Sequence, residues 1–255
     1  MIGKAIVEGF KFGFSLKRLV PVLLINFLFL YSTFFVLGKI GPMEITEEAV
    51  REVAPLLGLY LFILIFCFIS QPILITVMLH QTKAKKVQIK KSFKFSFSLF
   101  PKTFVVYLLY IILILVLGFI PFIWPILLLL FFSSFFYVYP LIVLKDKDII
   151  EAFKKSFEIF KKYPIQTFVL LILISLLSFV LITISFAPLA LWLAASVFKD
   201  YQQGSNLSSI ALQIADFFVS PIIIPFLLIP SLVSAYIFVV ALGMISKFFL
   251  SLKKI

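Results

Sequence analysis

Six near-continuous apolar runs divide the chain, at approximately 19–37, 55–79, 103–122, 124–144, 165–186 and 220–245. None has Asp, Glu, Lys or Arg in its interior. A helix crosses a bilayer with about 20 apolar residues, because roughly 30 Å of hydrocarbon is traversed at about 1.5 Å per residue. Each run therefore predicts a transmembrane helix. The strands of a β-barrel would alternate apolar with polar positions, and these runs do not. The first run follows Lys11, Lys17 and Arg18, as a signal peptide would. It exceeds the usual apolar core of about 7–15 residues and lacks a small-x-small cleavage pattern, so it reads as an uncleaved first helix. The expected fold class is an all-α integral membrane protein, a single domain over residues 1–255.

The polar segments between the runs set the orientation. Lys4, Lys11, Lys17 and Arg18 precede the first run, and Lys83, Lys85, Lys86, Lys90, Lys91, Lys94 and Lys102 follow the second. Lys145, Lys147, Lys154, Lys155, Lys161 and Lys162 follow the fourth, and Lys247, Lys253 and Lys254 close the chain. With six spans, these 20 of the 23 basic residues share one side. Lys39, Arg51 and Lys199 fall on the other, beside Glu44, Glu47, Glu48, Glu52, Asp200 and Asp216. Basic loops stay cytoplasmic, so a multi-pass cell-membrane protein with both termini cytoplasmic is expected.

The basic segments also resemble one another. Residues 9–16, Gly-Phe-Lys-Phe-Gly-Phe-Ser-Leu, align without gaps on residues 92–99, Ser-Phe-Lys-Phe-Ser-Phe-Ser-Leu. Lys90-Lys91-Ser92-Phe93 aligns in turn with Lys154-Lys155-Ser156-Phe157, and in that register Thr103 falls on Thr167. The predicted unit is a basic segment, a span and a return span, repeated as three parallel hairpins over roughly 1–80, 83–144 and 148–248. Such copies are related by an axis along the membrane normal and could surround a space lined by small and hydroxyl residues. In the third copy Ile149, Phe153, Phe157 and Phe160 recur at helical spacing, opposite Glu151, Lys154, Lys155, Glu158, Lys161 and Lys162. That pattern predicts an amphipathic helix with its Phe residues toward the acyl boundary. In the second copy Phe93, Phe95, Phe97 and Leu99 alternate as in a strand, and the alignment favours a helix.

Composition narrows the function classes. The 255 residues are 63% hydrophobic and 13% charged, with 34 Phe and a net charge of +12. A soluble chain has about a quarter of its residues charged. The basic residues punctuate apolar runs and form no soluble patch, which argues against nucleic-acid binding. One Cys and one His leave no parts for a disulfide scaffold, a zinc site or a triad. With no carboxylate in a span and no Gly-rich phosphate loop, the chain is not expected to be an enzyme or to carry a cofactor or metal.

A few residues remain as candidates. Gln71-Pro72 in the second span could mark a broken helix at a polar site, or a kink with an interhelical hydrogen bond. Pro221, Pro225 and Pro230, followed by Ser231 and Ser234, should bend the sixth span and free carbonyls. His80 sits where the second span meets its basic loop, as an interfacial anchor or a proton-sensing group. Cys67 reads as a small buried hydrophobe. Residues 189–198 are apolar but too short to span, which predicts an interfacial or re-entrant segment. Ser208 or Ser209 is placed to cap a following amphipathic helix, and Asn206-Leu207-Ser208 forms a glycosylation sequon.

Residues 148–164, Asp-Ile-Ile-Glu-Ala-Phe-Lys-Lys-Ser-Phe-Glu-Ile-Phe-Lys-Lys-Tyr-Pro, resemble a segment of uncharacterised six-span prokaryotic membrane proteins. Those are similar to the membrane domain fused to some glycerophosphodiester phosphodiesterases. The resemblance implies a membrane domain with a lipid-related role and brings no catalytic residues.

The expected function is therefore a protein that interacts with or organises membrane lipid. Lys90, Lys91, Lys94, Lys154, Lys155, Lys161 and Lys162 would meet anionic headgroups at about 1 kcal/mol per basic residue. The alternative is a transporter or channel for a lipidic or uncharged solute, using kinked spans two and six. Absence of intramembrane charge argues against ion coupling. Membrane lipid is the expected partner; the sequence specifies no soluble partner and no oligomeric state.

Overall fold

The computed structural model describes residues 1–41, 47–84, 87–119, 124–202 and 206–252, with backbone alone at 47–50, 52, 200, 201 and 207. Glu44, Lys85, Lys86, Lys253 and Lys254 lie outside the described residues, as do the side chains of Glu47, Glu48, Glu52 and Asp200. The described residues form helices throughout and no strand: α1 (Ile2–Gly13), α2 (Leu16–Ile40), α3 (Glu47–Gln81), α4 (Ile89–Gly118), α5 (Trp124–Phe135), α6 (Val138–Lys145), α7 (Ile149–Lys162), α8 (Pro164–Gln202), α9 (Leu207–Val219) and α10 (Ile223–Ser251). Six segments are long and apolar enough to cross a membrane: Leu16–Ile40, Val53–Gln81, Ile89–Gly118, Trp124–Lys145, Pro164–Lys199 and Ile223–Ser251. The chain is an all-α protein of membrane-spanning character.

Three local features depart from the sequence pattern, and the second basic segment is helical, as its alignment favours. The fourth span is interrupted between α5 and α6, at Phe136 and Tyr137. Pro140 lacks the N–H that would bond the carbonyl four residues back, and its ring crowds that carbonyl, so the break falls there. The second basic segment is helical from Ile89 and runs straight into its span as one 30-residue helix containing Pro101. The apolar stretch 189–198 is no separate segment, because α8 continues through Pro188 for 39 residues. Its Leu- and Ala-rich sequence tolerates one missing hydrogen bond. Finally, the cap of α9 is Asn206, whose Oδ1 accepts from the Ser209 N–H at 2.9 Å; the serines lie inside the helix.

The chain divides into two compact units. The first comprises Met1–Pro21, Ile69–Leu177 and Tyr236–Ile255. Its core gathers Leu79, Val106, Tyr137, Leu141, Ile142, Leu170, Met244 and Phe248, all essentially inaccessible. The second comprises Val22–Phe68 and Ser178–Ala235. There Leu189, Phe217, Ile223 and Leu227 form the core, and Trp192 stacks on Phe217 with ring centroids 3.5 Å apart. Within lipid, helices associate through close packing and hydrogen bonds, since lipid tails are as apolar as leucine.

Candidate functional site

The basic segments of the first compact unit supply the first group of candidate residues. On α7 the side chains turned into the protein are Ala152, Ser156 and Ile159. Phe153 packs on Tyr110 and Phe135, with centroids at 6.2 and 5.1 Å, and Phe160 packs on Phe168 at 5.5 Å. Of the three phenylalanines expected at the acyl boundary, only Phe157 is exposed. The reason is helical pitch: the small residues let α7 approach closely, and Phe153 and Phe160 flank that seam. The outward stripe is Ile150, Lys154, Phe157 and Lys161, with the Lys161 ammonium 4.5 Å from the centre of the Phe157 ring. Glu151 holds Lys147 at 2.8 Å and Lys155 at 3.1 Å. Hydrogen bonds from Lys147, then Lys155, keep its pKa below the ordinary carboxylate value. Whatever stability that adds is present above the usual carboxylate pKa and is lost as pH falls through the lowered one.

Comparable stripes lie on the other two basic segments. Lys90, Lys91, Lys94 and Phe97 are exposed on α4, and Lys4, Val7 and Phe14 are exposed on and just after α1. Long lysine stems beside large apolar side chains suit a surface where apolar bodies are buried and charged tips stay wet.

Beneath these stripes, buried small residues make close contacts, among them the aligned Gly9, Ser92 and Ser156. A Cβ added at Gly9 on α1 would sit 2.3 Å from Met244 Cγ and 2.9 Å from the Met244 backbone nitrogen on α10. Ser92 on α4, fully buried, receives a hydrogen bond from Gln81 Nε2 and lies 2.8 Å from His80 Nδ1 at the end of α3. Ser156 on α7, also fully buried, donates to the Ser134 carbonyl at 2.9 Å. Its oxygen accepts the Tyr137 N–H at 3.1 Å. One hydroxyl thus serves two backbone groups freed by the α5–α6 break. Tyr137 in turn hydrogen-bonds Thr167 through its hydroxyl at 2.9 Å.

The polar and kink candidates are dispersed. Helix α3 runs unbroken through Gln71 and Pro72, and Thr76 Oγ1 donates to the Pro72 carbonyl at 2.8 Å. Pro221 precedes α10 and Pro225 lies in its first turn, where the amide hydrogens have no helical partner; only Pro230 is interior. Ser231 donates to the Leu227 carbonyl of its own helix at 2.7 Å. Ser234 accepts from Asn26 Nδ2 at 3.2 Å. Asn26 is a mid-span amide that neither charge nor a proline marks in the sequence.

A cavity of about 300 Å³ opens in the first compact unit. Glu8, Lys11 and Phe12 of α1, Arg18 of α2, Gln81 at the end of α3 and Lys247 of α10 line it, with Thr82 and Ala84. The Arg18 guanidinium stacks on the Phe12 ring at 3.8 Å and donates from Nη1 to the Phe12 carbonyl at 2.9 Å. A smaller groove of about 260 Å³ lies in the second compact unit, lined by Leu28, Tyr31, Phe35, Leu56, Tyr60 and neighbouring residues. In the charge pattern Lys11, Arg18 and Lys247 register only as orientation signals. Their convergence needs three helices, α1, α2 and α10, brought together.

No family model, curated protein or solved structure matches the chain.

Proposed function

We propose that the chain is a non-enzymatic multi-pass membrane protein that interacts with or organises lipid at its cytoplasmic face. The observation that carries this reading is the make-up of the exposed stripes. Ile150, Lys154, Phe157 and Lys161 on α7 have counterparts in Lys90, Lys94 and Phe97 on α4 and in Lys4, Val7 and Phe14 around α1. Apolar side chains seat such helices at the acyl boundary, and lysines add an attraction to anionic headgroups that salt screens. The likeness of residues 148–164 to the six-span family points the same way.

The reading includes a threefold repeat. The aligned residues Gly9, Ser92 and Ser156 are all buried, and each touches the return span of another copy. Copy one meets α10 of copy three, copy two meets α3 of copy one, and copy three meets the α5–α6 break of copy two. That order closes on itself, as a pseudo-threefold axis along the membrane normal requires. The transporter alternative drew on kinks in spans two and six. Of its prolines, Pro72 and Pro230 lie inside helices, whereas Pro221 and Pro225 fall before α10 and in its first turn.

In vesicles containing the reconstituted protein, spin-labelled phosphatidylglycerol should associate several-fold more strongly than spin-labelled phosphatidylcholine. The preference should fall in 1 M salt, where the Debye length is about 3 Å. The combined change of Lys90, Lys94, Lys154 and Lys161 to Gln should remove most of it. Equal association of the two lipids at low salt would sink the proposal.

Orientation is tested separately. With Cys67 replaced by Ala, a single Cys near Asn206 should react with an impermeant thiol reagent added outside cells, and one near Lys85 should not. The opposite labelling pattern would place the basic segments outside and end the cytoplasmic reading.

A further inference from the structure

We infer that the cavity between α1, the start of α2, the end of α3 and α10 binds a phosphate-bearing anion. The inference rests on the lipid reading for the kind of phosphate expected, the headgroup of an anionic phospholipid. The cavity's volume of about 300 Å³ is at the lower end of the roughly 300–1,000 Å³ typical of small-molecule sites.

The charge in its wall is one-sided. Lys11, Arg18 and Lys247 face a single carboxylate, Glu8, which is 3.5 Å from Lys247 and 3.9 Å from Lys4. Glu8 is thus shared between two lysines, leaving Lys11 and Arg18 without an acidic counterpart in the cavity. Arg18 is held in place on one side by Phe12. Its Nε–H is buried with no partner, the one such side-chain atom among the described residues.

The uncharged groups add selectivity. The Gln81 side chain is fully buried, its Oε1 accepting from the Gln88 N–H at 3.1 Å and its Nε2 donating to Ser92. Thr82 donates its hydroxyl to the Leu79 carbonyl at 2.6 Å. The backbone N–H groups of Thr82, Lys83 and Ala84 close the end of α3 on the carbonyls of Leu79, His80 and Gln81. The donors left for a ligand therefore belong to cations, and a guanidinium with nearby ammonium groups matches the several oxygens of a phosphate. The negative end of α3 meets the same wall, so attraction for the anion comes from side chains alone. Arg18 opens an apolar span, and its sequence neighbours Phe14 and Leu16 are exposed, which gives acyl chains an apolar surface beside the headgroup. This is the form of a basic pocket between transmembrane helices that holds an anionic lipid head.

The test uses full-length delipidated protein in neutral detergent. Native mass spectrometry measures binding of added phosphatidylglycerol and phosphatidylcholine, and thermal shift measures inorganic phosphate and glycerol 1-phosphate. Wild-type protein should hold one phosphatidylglycerol with at least about tenfold preference over phosphatidylcholine, the scale of one charge-assisted contact. Lys11→Gln and Arg18→Gln should each weaken binding by about tenfold, and Lys39→Gln, exposed at the far end of α2, should leave it unchanged. Because Lys11 is exposed, Lys11→Gln decides the matter even if Arg18→Gln folds poorly. Protection by soluble phosphates that exceeds the lipid's effect, and is lost in the same variants, supports the site with a free anion as its ligand. Binding of every phosphate probe unaltered by Lys11→Gln, or phosphatidylcholine bound as tightly as phosphatidylglycerol, overturns it. Surface selectivity is read from spin-labelled lipid in other variants, so failure of the stripes and failure of the cavity are separate results.

Discussion

Gly9→Val should destabilise the protein by roughly 3 kcal/mol or more. The new Cβ would fall 2.3 Å from Met244 Cγ, 2.9 Å from the Met244 backbone nitrogen and 3.1 Å from its Cα. A methionine side chain can swing aside, but the backbone of α10 cannot without moving a helix. The contact is reciprocal. A Cβ at Gly243 would lie 3.0 Å from Phe12 Cδ1 and 3.2 Å from Gly9 Cα. Small residues on both sides let the two backbones approach, which is how helices gain packing where no hydrophobic force drives them together. Separating α1 from α10 would also pull Glu8 from Lys247 and open the cavity lined by Lys11 and Arg18, so phosphate binding should weaken together with stability. Gly58 is the control. It lies within α3 with nothing within 4 Å of an added Cβ. Gly58→Ala should be neutral or stabilising by up to about 1 kcal/mol through helix propensity alone. Thermal unfolding in detergent reads both, and a Gly9→Val protein that melts with wild type would mean α1 does not dock on α10.

How legible these features were depends on how local their causes are. The spans could be read because continuous apolar runs have one physical use: four of the six predicted runs fall within a membrane-length helical segment, and 103–122 and 220–245 overlap one for most of their length. The α5–α6 break also had a local cause in Pro140, which the apolar count overrode. Extension of α8 through Pro188 could not be read from the proline itself, since the outcome depends on whether neighbours tolerate one lost hydrogen bond. Gly9 and Ser92 were visible as matched positions in an alignment. Their role as contact points was not, because Met244 lies 235 residues from Gly9 in the chain. Arg18 illustrates the limit best. In sequence it is one more positive charge before a span, and only folding turns it onto Phe12 and leaves its Nε–H unpaired.

Ser156→Ala should cost roughly 2–3 kcal/mol, well above the value of an ordinary hydrogen bond within a membrane. Interhelical bonds there average about 0.6 kcal/mol, because the separated helices find other partners for their side chains. This hydroxyl has a different task. The break before Val138 leaves the Ser134 carbonyl and the Tyr137 N–H without helical partners, and Ser156 Oγ donates to one at 2.9 Å and accepts from the other at 3.1 Å. Alanine leaves both groups unpaired at a position with no solvent access, beside a Tyr137 side chain that is itself fully buried. Each orphaned group costs about 1–3 kcal/mol, reduced where α7 shifts or water enters. Thr183→Ala supplies the contrast. Its hydroxyl is exposed and only returns to the Phe179 carbonyl of its own helix at 2.8 Å, so its loss should stay within about 0.5 kcal/mol. If thermal unfolding shows the two substitutions to be equally mild, the α5–α6 break is held by its surroundings and not by Ser156. The third contact in the proposed closed ring would then lose its physical basis.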